Sequence, residues 1–218
     1  MYPGGKGKSY QQIINLMPRH DTYIEPFLGS AAVLKNKLTA KVNIVNDLEK
    51  SCLQDISLVN CKLEKHNKDA VELLKNTLLD ERTLIYCDPP YVQSTRKKQK
   101  IYKHEYSDDM HIELLEFLTK QPCMVMISGY DNSLYQKYLK NWNSYSFSSQ
   151  TQNGVREETV WFNFEKPHNL HDPTHLGNCF RERQTIKRRI KRLKHKFIQM
   201  DTQERSAFME WLNHEFTI

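Results

Sequence analysis

No apolar run in this sequence is longer than the five residues from Cys123 to Ile127. A membrane-spanning helix needs roughly 20 consecutive apolar residues, so none is expected here. The first ten residues, MYPGGKGKSY, also lack the apolar core of a signal peptide. We therefore expect a soluble, unexported protein whose 218 residues suffice for one catalytic domain with an appendage.

The sequence also lacks the cysteine patterns of a disulfide framework or a zinc module. Its five cysteines are an odd number, and none forms a C-x-x-C pair. Histidines between His168 and His175 precede Cys179 at spacings that a metal ion could use, but no second ligand pair accompanies them, so we expect no metal. Free thiols in apolar segments indicate a reducing compartment, and we expect the cytoplasm.

Net positive charge is missing from most of the chain. The net charge is +6, but residues 180–200 alone contain nine Lys or Arg residues and one acid. Apolar residues in this segment are spaced by four, three, four and three positions: Ile186, Ile190, Leu193, Phe197 and Met200. The spacing predicts a helix with one apolar face and cationic remaining faces. Asp201 and Glu204 form a capping-box pattern that predicts one more helix after it.

Strand and helix patterns alternate through the rest of the chain. Strands are predicted at residues 22–26, 42–46, 83–87, 123–128, 143–149 and 157–164. Helices are predicted at residues 9–17, 29–38, 49–62, 70–78, 108–118 and 132–139, with Asp69 capping the fourth. This order predicts an α/β fold, a doubly wound Rossmann-like sheet with helices on both faces and an antiparallel end. We assign residues 1–166 to a catalytic domain and residues 167–218 to a basic helical extension.

Ligands of such sheets bind outside the carboxyl ends of the strands, where three short motifs fall. YIEPFLGS ends the first strand, and Gly29 would let the backbone approach a ligand without a Cβ in the way. Asp47 ends the second strand, where a carboxylate can accept the hydroxyls of a ribose. An ordinary turn glycine and an ordinary helix cap explain these two residues equally well.

The third motif, DPPY at residues 88–91, is more specific, because chance would produce it in roughly one chain of this length in a thousand. An amino group such as that of adenine is a poor nucleophile because its lone pair is delocalised into the ring. Two acceptors holding its hydrogens would localise that pair. Asp88 offers one acceptor, and the rigid turn of Pro89 and Pro90 aims the carbonyl of Pro89 as the other. Tyr91 would offer a flat surface for a base taken out of the duplex.

The motifs follow one another as in a known enzyme family. The segments PGGKGK, EPFLGSAAV, KDAVELL, DPPY, ISGY and REETVWFNF, together with Asp47, resemble those of the bacterial and phage DNA adenine methyltransferases of the alpha group. The resemblance spans about residues 3–164, and the tail from Leu170 resembles the end of small phage-type members. It implies transfer of a methyl group from S-adenosylmethionine to the N6 amino group of a flipped adenine in DNA.

The resemblance also implies which residues form the site. Asp88, Pro89, Pro90 and Tyr91 would hold the target base. The cofactor would be held by Tyr2, Pro3, Gly4, Gly5, Lys6, Glu25, Pro26, Phe27, Gly29, Asp47, Asp69 and Asp88, with Asp69 near its adenine. The transfer is expected to be direct, by alignment and charge placement, with neither a metal ion nor a covalent intermediate.

The sequence departs from the family pattern in two respects. Ala31 stands where members of the family often have a second glycine. Only 40 residues separate Asp47 from Asp88, too few for the target-recognition domain that larger members carry there. Sequence recognition would then come from elsewhere, and a second subunit of a homodimer could supply it.

Two cationic segments could contact the phosphates of double-stranded DNA. One is the loop after DPPY, with Arg96, Lys97, Lys98, Lys100 and Lys103; the other is the basic helix, with Arg181, Arg183, Lys187, Arg188, Arg189, Lys191 and Arg192. A solvated face is the usual explanation of such charge on an isolated helix, but beside a base-modifying site we favour the DNA contact, because counterion release would drive binding. Two other functions stay open at this point, methylation of adenine in RNA and DNA binding without catalysis.

Overall fold

A computed structural model describes residues 5–95, 104–151 and 154–216, and the chain divides into two compact units, Met1–Pro173 and Thr174–Ile218. The strands of the first unit are β1 (Thr22–Glu25), β2 (Val42–Asn46), β3 (Lys62–His66), β4 (Thr83–Cys87), β5 (Met124–Gly129), β6 (Asn143–Thr151) and β7 (Gly154–Phe162). Its helices are α1 (Tyr10–Ile14), α2 (Ala32–Asn36), α3 (Ala70–Lys75), α4 (Asp108–Leu118) and α5 (Ser133–Tyr138). The second unit contains α6 (Phe180–Gln199) and α7 (Thr202–Phe216).

The seven strands form one sheet in the order β3-β2-β1-β4-β5-β7-β6. β1 to β5 run parallel to one another, and β7 runs antiparallel to both β5 and β6. The strand order reverses between β1 and β4, so a crevice opens at the carboxyl ends of these two strands. This confirms the predicted α/β fold with an antiparallel end and locates the site for a ligand.

Side chains that alternate along each strand divide the core between two layers. In β4, Leu84 and Tyr86 pack into the layer covered by α1 and α2. Ile85 and Cys87 point to the opposite layer, which α3, α4 and α5 cover. All of β4 is buried, as an apolar strand with a parallel neighbour on each side must be. Trp161 and Phe162 of β7 also belong to the core.

The predicted bounds of β2, β4 and α4 agree with the structure, and Asp69 caps α3 by accepting from the backbone N–H groups of Val71 and Glu72. The predicted helix over residues 49–62 is wrong. A single 3₁₀ turn, Lys50–Leu53, is followed by an irregular segment and then by β3. β3 lies at the edge of the sheet beside β2. Its sequence, KLEKH, carries no apolar alternation that could reveal the strand.

The second unit contains both predicted helices, α6 from the spacing of its apolar residues and α7 from the capping box. The Asp201 carboxylate accepts from Glu204 N at 2.9 Å, and Glu204 Oε2 accepts from Asp201 N at 3.2 Å. The rings of Phe197 and Phe208 lie 5.9 Å apart, so the apolar face of α6 meets α7 at this point. Leu193 and Trp211 remain 59% and 49% exposed. The unit therefore has an amphipathic but only partly covered apolar face.

The described residues can be compared with what the sequence predicts about membrane-spanning helices, disulfide bonds and metal ligands. Within them, no helix is both long and apolar enough to cross a bilayer. All five cysteines belong to the described part of the chain and are free thiols. The same part contains no cluster of three potential metal ligands, and His171 stacks instead on His20 with ring centroids 3.8 Å apart.

Candidate active site

Asp88 lies at the carboxyl end of β4, beside the crevice, where its side chain is 17% exposed. The ammonium group of Lys6 donates to both of its carboxylate oxygens, at 2.6 Å and 2.7 Å. The same nitrogen donates to the hydroxyl of Tyr91 at 2.8 Å. Lys6 is itself only 4% exposed, which makes these charge-assisted bonds stronger than those of a surface ion pair. The first and last residues of the DPPY motif are thus joined through one lysine.

The position of Asp88 sets its proton affinity. Burial raises the pKa of its carboxyl group to about 6, and the charge and hydrogen bond of Lys6 oppose this rise. The negative charge of Glu158 raises the pKa further, whereas the hydrogen bond with Tyr91 lowers it. Asp88 is therefore mostly ionised at neutral pH and can accept hydrogen bonds from a bound amino group.

His111, a fully buried residue of α4, forms a hydrogen bond with the proline turn after Asp88. His111 Nε2 lies 3.0 Å from the carbonyl oxygen of Pro90, and because that oxygen can only accept, Nε2 carries the proton. The other ring nitrogen then accepts from the Tyr135 hydroxyl at 3.1 Å. The ring of Tyr135 in turn contacts Trp161, with centroids 5.1 Å apart. A chain of buried groups thus fixes the turn against the sheet.

Aromatic side chains line the other side of Asp88. Tyr91 is 6% exposed and meets the ring of Tyr130 edge-on, with centroids 4.6 Å apart. The guanidinium group of Arg156, from β7, lies 5.2 Å from the centroid of Tyr130. The Lys6 ammonium lies 4.9 Å from the centroid of Tyr91. Cations and rings therefore alternate next to the acid, an arrangement suited to a flat aromatic ligand and a nearby phosphate.

A cleft opens from Asp88 towards the carboxyl ends of β1 and β2. Its walls combine acidic groups with aromatic rings. Phe27 and Tyr106 meet edge-on at 5.4 Å, and Asp47 lies at the end of β2. Asp47 Oδ2 accepts from Gly29 N at 2.7 Å, and its Oδ1 accepts from Glu49 N at 2.8 Å. Carboxylate oxygens accept more than one hydrogen bond, so Asp47 retains capacity for ligand hydroxyls.

The turn between β1 and α2 requires left-handed backbone at two positions. Gly29 has φ 51°, which a glycine adopts without a steric penalty. Ala31 has φ 57° and ψ 29° and is fully buried. The alanine thus adopts the conformation that a glycine at this position would favour, and the departure from the family pattern preserves the shape of the turn.

Glu25, the last residue of β1, is a buried acid in the same cleft. Burial raises its pKa to about 8, and the charge of Asp88 adds to the rise. The Tyr23 hydroxyl, which donates to Glu25 Oε2 at 3.0 Å, opposes it. A cation bound next to Glu25 would favour its ionised form, so the cleft is electrostatically suited to a positively charged ligand.

The structure brings together all of the predicted catalytic and cofactor residues that it describes. The described part of the predicted cofactor set lines one cleft with the DPPY prolines: Gly5, Lys6, Glu25, Pro26, Phe27, Gly29, Asp47, Asp69, Asp88, Pro89 and Pro90. Tyr91 contacts Lys6 at the edge of this group. Outside the described residues lie Tyr2, Pro3, Gly4, Arg96, Lys97, Lys98, Lys100 and Lys103. The predicted cations of α6 belong to the second unit, and all are exposed except the half-buried Arg183.

Sequence reasoning missed several residues that shape this site. His111 lies inside an amphipathic helix pattern, Tyr106 lies in a loop, and Glu158 lies in a strand pattern that ends in apolar residues. Of these, only Glu158 carried a local signal, because an acid at an inward-facing strand position departs from the apolar alternation. The other two act through contacts with residues far away in the chain.

The chain matches the family model of the D12 class N6 adenine-specific DNA methyltransferases over residues 2–78 and 52–153. No curated protein sequence gave a significant match.

Solved structures with a similar arrangement include TrmK from M. capricolum in complex with the cofactor product S-adenosyl-homocysteine (12% identity, TM-score 0.48, 94% of each chain covered). An rRNA methylase from Streptococcus thermophilus covers 71% of this chain and 93% of its own at 12% identity and TM-score 0.48. Magnesium protoporphyrin IX methyltransferase from Synechocystis covers 71% and 80% at 7% identity and TM-score 0.46.

The family match carries the assignment, because it covers most of the first unit and includes every motif that forms the cleft. It decides for adenine in DNA over adenine in RNA and for an enzyme over a silent binding protein. The chain belongs to the D12 class of N6 adenine-specific DNA methyltransferases, which take their methyl group from S-adenosylmethionine.

Proposed function

We propose that this methyltransferase acts on double-stranded DNA and that Asp88 and the carbonyl of Pro89 hold the amino group of a flipped adenine. The observation that carries the proposal is the contact of Lys6 with Asp88. The carboxylate already accepts two short N–H bonds from a buried nitrogen at the crevice. An adenine amino group also presents N–H donors and could take the same position.

The chain's own groups account for the activation of that amino group. Asp88 and the Pro89 carbonyl would each accept one of its hydrogens, which concentrates the nitrogen lone pair on the side facing the cleft. When bound, S-adenosylmethionine supplies an activated methyl group. The proton that the nitrogen loses can move to Asp88, whose pKa of about 6 suits it to accept a proton near neutral pH.

The cleft residues fit S-adenosylmethionine by their chemistry. Glu25 would face a positively charged part of the cofactor, Asp47 would accept ribose hydroxyls, and Phe27 with Tyr106 would flank a purine. Asp69 lines the same cleft and uses one carboxylate oxygen, Oδ1, for both of its capping bonds. We assign its other oxygen to the amino group of the cofactor's adenine.

Tyr91 is the proposed stacking surface for the flipped base. Because its ring is 6% exposed and contacts Lys6 and Tyr130, a base can reach its face only after these neighbours move. Displacement of Lys6 from Asp88 would therefore free the acceptor and the aromatic surface together.

The basic helix α6 is the proposed DNA backbone contact, and the short distance between Asp47 and Asp88 in the sequence favours a homodimer that supplies further groove contacts. Exposed cations on α6 can release counterions from DNA in proportion to the phosphates they contact. Residues 1–166 would then perform catalysis, and residues 167–218 would add affinity.

Asp88→Asn tests the clamp. The amide replaces one acceptor oxygen by a donor, so we expect methyl incorporation into unmethylated genomic DNA to fall at least about 100-fold. Calorimetry should find the affinity for S-adenosylmethionine within a few-fold of wild type. Asp55→Asn, at an exposed aspartate, is the matched control. Wild-type turnover by Asp88→Asn would refute the clamp.

Charge removal on α6 tests the DNA contact. Arg188, Lys191 and Arg192, all exposed, are replaced together by Gln, and Lys120, Lys137 and Lys140 form the control triple. If the three cations contact phosphates, the slope of log affinity against log salt should decrease by up to about 2.7, since each contact contributes about 0.9. Equal slopes for both triples would exclude α6 as the contact.

A further inference from the structure

Glu158, in β7, is a buried acid that the proposed mechanism leaves unused. It is 6% exposed, and its Oε2 atom has no hydrogen-bond partner among the described residues. A buried acceptor without a partner costs about 1–3 kcal/mol, and more when it is charged. Such an atom therefore calls for an explanation beyond folding.

The position of Glu158 in the sheet directs it towards the candidate active site. Val160 and Phe162, at alternate positions of the same strand, pack into the layer that contains Tyr86 of β4. Glu158 thus points to the same side of the sheet. Its charge acts on both Asp88 and Tyr86. The exposed neighbour Glu157 points to the other side.

Binding of the target base creates a need for such a group. A lysine ammonium has three N–H donors. The contacts of the Lys6 ammonium include both oxygens of Asp88 and the hydroxyl of Tyr91. An amino group that takes Asp88 breaks the buried ion pair of Lys6 and Asp88, and breaking such a pair costs about 3–5 kcal/mol. A second carboxylate nearby would prevent that cost.

We propose that Glu158 receives the ammonium group of Lys6 when the target adenine takes its place on Asp88. Glu158 is then a positioning residue, which acts through Lys6 and keeps the free-energy cost of exchanging partners on Asp88 small. This inference rests on the proposed function, in which Asp88 holds the amino group. It also explains why an acid without a hydrogen-bond partner at Oε2 is buried in β7.

The test compares single-turnover methylation of unmethylated bacterial genomic DNA by wild type and by Glu158→Gln, Glu158→Asp and Glu157→Gln. With Glu158→Gln we expect a rate lower by about 30-fold, or about 2 kcal/mol, since the displaced ammonium meets a neutral amide. Glu158→Asp retains the charge and should recover most of the rate. Glu157→Gln should equal wild type.

Two further measurements separate positioning from folding. Affinity for S-adenosylmethionine and the melting temperature of Glu158→Gln should stay at wild-type values. In the Lys6→Met background, Glu158→Gln should cost less than about threefold, since its partner is gone. A rate for Glu158→Gln within threefold of Glu157→Gln would overturn the proposal, and so would equal losses for Glu158→Asp and Glu158→Gln with a lowered melting temperature.

The pH profile gives a readout that a structural role would not move. Among the described residues, the titratable groups that couple electrostatically to Asp88 include Lys6, Glu25, Tyr86, Cys87, Tyr91, Tyr135 and Glu158. Glu158 is the one whose loss removes a negative charge that raises the pKa of Asp88, so Glu158→Gln should shift the acid limb of the rate profile to lower pH. An unshifted or upward-shifted limb contradicts the proposal. Should Asp88→Asn stay active, the proposed clamp itself fails; if Asp88→Asn is inactive and Glu158→Gln normal, only the role of Glu158 fails.

Discussion

The contact of Lys6 with Asp88 predicts how the methylation rate depends on pH. Asp88 must be ionised to accept an amino hydrogen, so activity is present above its pKa and is lost as the pH falls through that value. In the wild-type protein this pKa is about 6. We expect the rate to fall about tenfold for each pH unit below that value.

Lys6→Met removes the positive charge that opposes the rise in this pKa. An ammonium 2.6 Å from a carboxylate lowers the carboxyl pKa by about 1–3 units. Without it, the acid limb should move up to between roughly pH 7 and pH 9. A shift of two units would leave about a tenth of Asp88 ionised at neutral pH and reduce the rate about tenfold, and the rate would recover in alkaline buffer.

Single-turnover methylation at saturating cofactor and subsaturating DNA, measured from about pH 5 to pH 9.5, reports the groups of the DNA-free enzyme, in which Lys6 still contacts Asp88. Each profile is normalised to its own alkaline plateau, so that an independent effect of Lys6 on the plateau does not enter. Lys8→Met is the control, because Lys8 is exposed and only two positions away. The reasoning is refuted if the Lys6→Met limb coincides with those of wild type and Lys8→Met.

Two other predictions concern the backbone around the site. His111→Ala leaves the Pro90 carbonyl and the Tyr135 hydroxyl without this buried partner, so the methylation rate should fall about 10- to 100-fold while cofactor affinity changes little. Tyr135→Phe keeps the histidine and should reduce the rate less. Equal rates for His111→Ala and wild type would contradict the role of this contact. A glycine at position 31 relieves the left-handed strain but loses a buried methyl group, so Ala31→Gly should change the free energy of unfolding by less than about 1 kcal/mol. Ala31→Val should destabilise the protein by about 2 kcal/mol or more. Urea denaturation measures both changes, and a stable Ala31→Val variant would contradict the strained turn.

The fold was predictable from the sequence where local pattern and tertiary environment agree. β4 is fully buried between two strands and therefore reads as a continuous apolar run, and α4 begins at a serine cap whose hydroxyl accepts from Met110 N at 3.3 Å. β3 was missed because an edge strand with polar side chains has no pattern of its own. Its pairing with β2 supplies the order that its sequence does not.

The site was predictable as a set of motifs but not as a set of contacts. DPPY and the glycine turn were found because single short segments carry them. The lysine that holds Asp88 comes from 82 positions earlier in the chain, and His111 reaches the turn from 21 positions later. Nothing in either local sequence indicates its partner, since only the sheet order brings these segments together. The same holds for Glu158, which no motif connects to Asp88.

The buried contact between Tyr135 and Trp161 makes the proline turn observable by optical spectroscopy. Of the three tryptophans, Trp211 is 49% exposed and Trp142 is half-buried, so a soluble quencher such as iodide suppresses their emission more than that of buried Trp161. Trp161 is 5% exposed and is linked to Pro90 through Tyr135 and His111, and its fluorescence therefore responds when that turn is rearranged. Stopped-flow mixing with DNA can thus follow the rearrangement in real time without any attached dye.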